Sequence, residues 1–249
     1  MIARGREDSD GWTSAVASGF ALAGFLFVVF IAFTLLAMGP LVRYDTYFSL
    51  APPPRSWVPF LHVLDRVGQR AIAVPILAAI VFWIYRRTRS WRPVAVAAAS
   101  VFALNLLVLV LKLGFGRSFP RTADPSFFTG GMAYPSGHSA NIVLVYGLIA
   151  YLLSTYSSPS HRLKVLMWSA VGCLSVTMVV TSLTLNWHWF ADLVAGLLIG
   201  GVVLELTATV DRMVPAHVLA RGGRDGLREG LREIAAAVRP RTSRGRAAP

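Results

Sequence analysis

The chain has 249 residues, 55% of them hydrophobic and only 14% charged. That is well below the roughly 25–35% charge of a soluble protein's surface, so a soluble domain is excluded and a membrane protein expected. The net charge of +12 rests on arginines that flank apolar runs, which suits membrane topology and anionic lipid headgroups rather than nucleic acid. The one cysteine, Cys173, leaves no internal disulfide and no cysteine-based zinc site.

A helix needs about 20 apolar residues to cross a bilayer. The first candidate lies in the uncharged stretch from Gly11 to Val42, too long for the ~7–15-residue core of a cleaved signal peptide. Further spans follow at residues 71–85, 93–111, 139–156, 165–185 and 189–209. The expected fold class is therefore all-α and polytopic, a bundle of six transmembrane helices over residues 17–210. It is preceded by a short segment, 1–16, and followed by a basic tail, 211–249.

The loop carrying Arg86, Arg87, Arg89 and Arg92, and a tail with nine arginines against four acids, place both termini in the cytoplasm. Arg43, Arg55, Arg66 and Arg70 in the first outward loop oppose that bias, and the tail outweighs them. In the tail, Leu227, Leu231, Ile234 and Val238 share one helical face, which suits a helix on the inner leaflet bound to anionic headgroups; a partly disordered basic tail is the alternative. Glu205, near the end of the sixth span, is expected at the inner interface.

Three polar clusters fall at the outward ends of the spans. In "NWHWFAD", His188 and Asp192 are four apart and share a helix face. Asp192 can hold one imidazole nitrogen and leave the other as nucleophile or base, or it is simply a helix-start aspartate. In "YPSGHS", Pro135 and Gly137 make a turn, and Ser136 or Ser139 caps the helix that follows. Backbone N–H groups at such a start, here Ser136 and Gly137, suit an anion beside His138. "KLGFGRSFPR" adds Lys112, Arg117 and Arg121, suited either to phosphate or to headgroup anchoring. In the sixth span, Gly196, Gly200 and Gly201 permit close helix packing, the ordinary packing of membrane helices or one that would also fix Asp192 in place.

Together the three segments resemble the type-2 phosphatidic acid phosphatase superfamily of membrane lipid phosphatases. Pro135-Ser136-Gly137-His138 matches its second motif, and His188 with Asp192 matches the end of its third. Two positions depart: Phe119 stands where the first motif has arginine before Pro120, and Thr181-Ser182 where the third has Ser-Arg. The resemblance implies an active site at the outer membrane face, working without metal or cofactor. His188 would form a phosphohistidine, Asp192 would hold its tautomer, and His138 would act as acid and base. Lys112, Arg117, Ser136 and Gly137 are the expected phosphate-binding groups, with Arg121 and Asn186 as further contacts. Polyprenyl phosphates or diphosphates, phosphatidic acid and phosphatidylglycerol phosphate are the implied substrates. A phospho-headgroup transferase of the same fold, or a silent lipid-binding scaffold, is the alternative.

Overall fold

In the computed structural model, residues 2–48 and 52–214 are described; the expected amphipathic face at 227–238 lies outside them. Six helices are long and apolar enough to span a membrane. The first is α1 (Ile2–Met38). Two short helices follow, α2 (Val42–Asp45) and α3 (Val58–Arg66), then the spanning α4 (Arg70–Thr88) and α5 (Arg92–Phe115). The fourth span is composite: α6 (Gly137–Asn141), a π-turn at Ile142–Tyr146, and α7 (Gly147–Tyr156). α8 (His161–Thr184) and α9 (Phe190–Met213) complete the bundle. Helix α5 runs four residues past the Leu111 boundary expected from hydropathy, so Lys112 sits in its last helical turn.

The fourth span and α9 form the centre. Within their most apolar windows they are 61% and 56% buried, against 11–22% for the other four, which expose many large apolar side chains. Their backbones approach closely because Gly196 and Gly200 lack side chains. A Cβ on Gly200 would fall 2.7 Å from Ala140 O, and one on Gly196 would meet Ser136 O. Gly201 faces α1 instead, where a Cβ would touch Leu26 at 3.4 Å. The expected close packing thus rests on Gly196 and Gly200, the small-residue device of membrane helices.

At the end of the bundle away from the polar clusters, Asp211 accepts from Arg92 Nε at 2.7 Å and from the Tyr151 hydroxyl at 2.7 Å, clamping α5, α7 and α9. Glu205 pairs with Arg212 at 3.8 Å near the same end. At the opposite end lie the connections 39–69, 116–136 and 185–189, which bring together every polar cluster singled out from the sequence. The 116–136 loop is held by an aromatic group of Phe115, Phe127 and Tyr134, with ring centroids 5.2–6.2 Å apart. The Tyr134 hydroxyl is 2.6 Å from Thr34 Oγ1, which fastens the loop to α1.

Candidate active site

His188 precedes α9, and Asp192 lies in that helix's first turn. The Asp192 carboxylate is fully buried and saturated with donors. Oδ2 accepts the Trp189 N–H at 3.0 Å and lies 3.3 Å from His188 Nδ1, while Oδ1 accepts from Arg117 Nη1 at 2.8 Å. An aspartate at this helix position caps its own N-terminus and benefits from the helix dipole. Here it also fixes the imidazole, so that His188 turns its Nε2 away from Asp192. His188 lines two cavities at this end of the molecule.

Arg117 has a different place from the one its sequence context suggested. Its side chain is wholly enclosed. Nε donates to Pro125 O at 3.0 Å, Nη1 to Asp192, and Nη2 to Asp45 in α2. Its guanidinium carbon lies 4.5 Å from the Phe127 ring centroid and 5.7 Å from that of Trp189. Enclosed in this way, Arg117 stands behind Asp192 and on the wall of neither cavity that His188 lines, unlike the phosphate-facing place expected for it. Asp45 in turn accepts the Ala191 N–H at 3.0 Å, so the segment after α1 grips the start of α9. Burial pushes the Asp45 carboxyl upward from its ordinary pKa, against the opposing pull of Arg117.

Ser136 also departs from expectation. Its N–H donates to Asp192 O at 2.9 Å and its hydroxyl caps α6 by accepting from Ser139 N, so its polar groups are spent on the helix junction. Gly137 remains on the cavity wall beside His138. His138 Nε2 lies 3.4 Å from Asp65 Oδ2, a charge contact without the alignment of a hydrogen bond. Asp65, in α3, is fully buried, and Gln69 Nε2 donates to the same oxygen at 3.3 Å.

The larger cavity, about 700 Å³, is lined by Lys112, Gly137, His138, His188, Phe119 and Arg70, then by apolar side chains of α5 back to Phe102. Ten residues of helix at about 1.5 Å each carry it on the order of 15 Å toward the membrane interior. A further groove between α4 and α5 begins at the shared residues Phe102 and Asn105 and continues to Val94. Lys112 reaches the backbone oxygens of Met132 and Ala133. The smaller cavity, about 500 Å³, holds Arg121 and Asn186 with Trp187, Phe119 and both histidines. Phe119, on the wall of both, has its ring 6.1 Å from that of His188. Ser182 reaches neither cavity; it is 1% exposed and its hydroxyl points at Met178 sulfur.

Thus Lys112, Gly137, His138, His188 and Asp192 converge, Arg121 and Asn186 border the second cavity, and Arg117 and Ser136 stand behind the site. The sequence reading passed over Asp45, Asp65 and Arg70. A signal was present: Asp45 and Asp65 are the only acids between residues 43 and 70 of an acid-poor chain.

Known proteins similar to this chain are membrane-lipid phosphatases by name. Phosphatidylglycerophosphatase B of Bacillus subtilis is 24% identical over 152 residues, 61% of this chain and 73% of that protein. The crystal structure of a transmembrane PAP2-type phosphatidylglycerolphosphate phosphatase from Bacillus subtilis has a TM-score of 0.67 at 21% identity. It covers 78% of this chain and 98% of that one, a likeness of fold. A model of the PAP2 superfamily matches residues 93–214. The matched region supplies both histidines, and over it the chain is similar to the PAP2 superfamily.

Proposed function

We propose that the chain hydrolyses a lipid phosphate through a phosphohistidine, with phosphatidylglycerol phosphate, the substrate named for its relatives, as the first candidate. The observation that carries this reading is His188 Nδ1 held against buried Asp192, with His138 on the wall of the same cavity. Asp192 accepts the Nδ1 proton and leaves the Nε2 lone pair for attack on phosphorus. As the N–P bond forms and the P–O bond to the lipid breaks, His138 gives its proton to the departing oxygen. His138 then takes a proton from water, which attacks the phosphohistidine and releases inorganic phosphate. Lys112 neutralises charge on the phosphoryl oxygens, and Asp65 fixes the His138 ring. The apolar wall of α5 accommodates the tail while the headgroup meets the histidines.

In this reading the site faces outward and both termini lie in the cytoplasm, as the arginine distribution suggests. Purified protein in detergent, given phosphatidylglycerol phosphate, phosphatidic acid and a prenyl diphosphate in the presence of a chelator, should release inorganic phosphate. His188→Ala should reduce release to background. A wild type as inert as that variant across the three lipids would refute the reading.

A further inference from the structure

A phosphoryl group under attack carries two or more negative charges, and this chain has Phe119 and Ser182 at the two positions where the motif it resembles would place arginine. Neither position is refilled by its neighbours. Ser182 is enclosed, and Arg117, two residues before Phe119, is committed to Asp45 and Asp192. Arg121 lies on the smaller cavity, leaving Lys112 as the motif cation on the larger one.

Arg70 lies outside every motif and lines that larger cavity with Lys112, Gly137, His138 and His188. It opens α4, is exposed, and makes no ion pair or side-chain hydrogen bond among the described residues.

The corner that carries Arg70 is built against the site rather than merely near it. A Cβ on Gly68 would fall 2.6 Å from Met178 Cε and 3.2 Å from His138 Cβ, so the absence of a side chain lets the α3–α4 turn approach α6. Tyr146, in the π-turn, donates to Val67 O at 3.0 Å, and Asn141 Nδ2 donates to Gly68 O at 3.4 Å. Gln69 is fastened to Asp65, which faces His138. A snorkelling interfacial arginine needs only a helix end near the headgroups. This one has a neighbouring turn pinned at three points and an unpaired guanidinium on the wall that holds the histidines.

We infer that Arg70 is a phosphate-binding residue of this active site, supplying from α4 a second cation beside Lys112. The inference rests on the phosphatase reading above. A planar guanidinium can grip two phosphoryl oxygens at once, and Lys112 supplies a point charge beside it. The ligand class is a phosphomonoester or the terminal phosphate of a diphosphate.

The test compares wild type, Arg70→Gln and Arg70→Lys as full-length purified chains. The readouts are kcat/KM on the same lipids, orthovanadate binding by tryptophan quenching, and thermal unfolding. Arg70→Gln should lower kcat/KM by about 10- to 100-fold and weaken vanadate by a similar factor, the loss expected for one charge-assisted contact. Its unfolding temperature should be unchanged, and Arg70→Lys should recover part of both losses. If wild type turns over and Arg70→Gln keeps its vanadate affinity, the inference is overturned and Arg70 is an interfacial anchor. If wild type is inert on every lipid, the phosphatase reading falls, and vanadate binding alone still judges Arg70: equal binding in both proteins overturns it, selective loss supports it.

Discussion

Replacing Arg117 with Met tests whether this arginine supports the site or binds substrate. The side chain is fully enclosed, and its guanidinium is shared by Asp45, 3% exposed, and Asp192, 0% exposed. Removing it strands two carboxylates in a region without water to solvate them. Breaking one buried pair costs about 3–5 kcal/mol. Even that lower bound is a large part of the roughly 5–15 kcal/mol that holds a domain together. At about 2–4 °C per kcal/mol for a chain of this size, the unfolding midpoint should fall by about 6–20 °C. Thermal unfolding in detergent, followed by tryptophan fluorescence, measures this directly, with Arg121→Met as the exposed control.

The cause can be separated from lost packing. In the double variant Asp45→Asn with Arg117→Met, one stranded carboxylate becomes a neutral amide that still accepts the Ala191 N–H. The double variant should therefore unfold several degrees above Arg117→Met alone, a coupling expected for directly bonded groups. An Arg117→Met protein that unfolds within 2 °C of wild type but binds vanadate poorly would refute this reasoning. It would restore Arg117 to the phosphate-binding role its loop suggested.

The other predictions concern the acid and the helix contact. His138→Ala should reduce hydrolysis of an alkyl phosphate by about 10²–10⁴-fold, the usual contribution of a general acid or base. With p-nitrophenyl phosphate, whose leaving group needs no proton, phosphoenzyme should still form and then accumulate in mass spectra; its absence would remove His138 from the acid role. Asp65→Asn should lower kcat more than it raises KM, since Asp65 touches His138 and not the cavity wall. Gly196→Ala sets a Cβ against Ser136 O and 2.9 Å from Ser139 Cβ, and should destabilise by about 1–3 kcal/mol, read as a fall in unfolding temperature. Gly201→Ala meets only Leu26 at 3.4 Å and should be tolerated, so equal effects at the two glycines would refute the packing account.

The membrane spans could be read from the sequence because an uninterrupted apolar run of about 20 residues has few other uses. His188 and Asp192 could be read because four residues on a helix is a local distance. Arg117 misled for the same local reason. A cation just after two glycines looks exposed until Asp45, 72 residues earlier, closes over it. Ser136 misled because its N–H looks free until Asp192 O, 56 positions away, arrives to accept it. No spacing rule carries such information. It depends on how closely α9 meets the fourth span, which two glycines decide.

What the local patterns omit has one source: the segment between the first two spans. It looked like a connector because its only apparent regularity was an excess of arginine. In the folded protein three of its charged residues go to different parts of the same site. Asp45 takes Arg117 and the start of α9, Asp65 takes His138, and Arg70 comes to the cavity wall. Asp45 holds Arg117 behind the cavity wall, and on the inference above Arg70, at the end of the same segment, supplies a cation to phosphate there. A family motif that lacks two arginines therefore does not imply a dead site here. The charge that matters to phosphate belongs to the three-dimensional cavity, and helix α4 can supply it as well as α5 or α8.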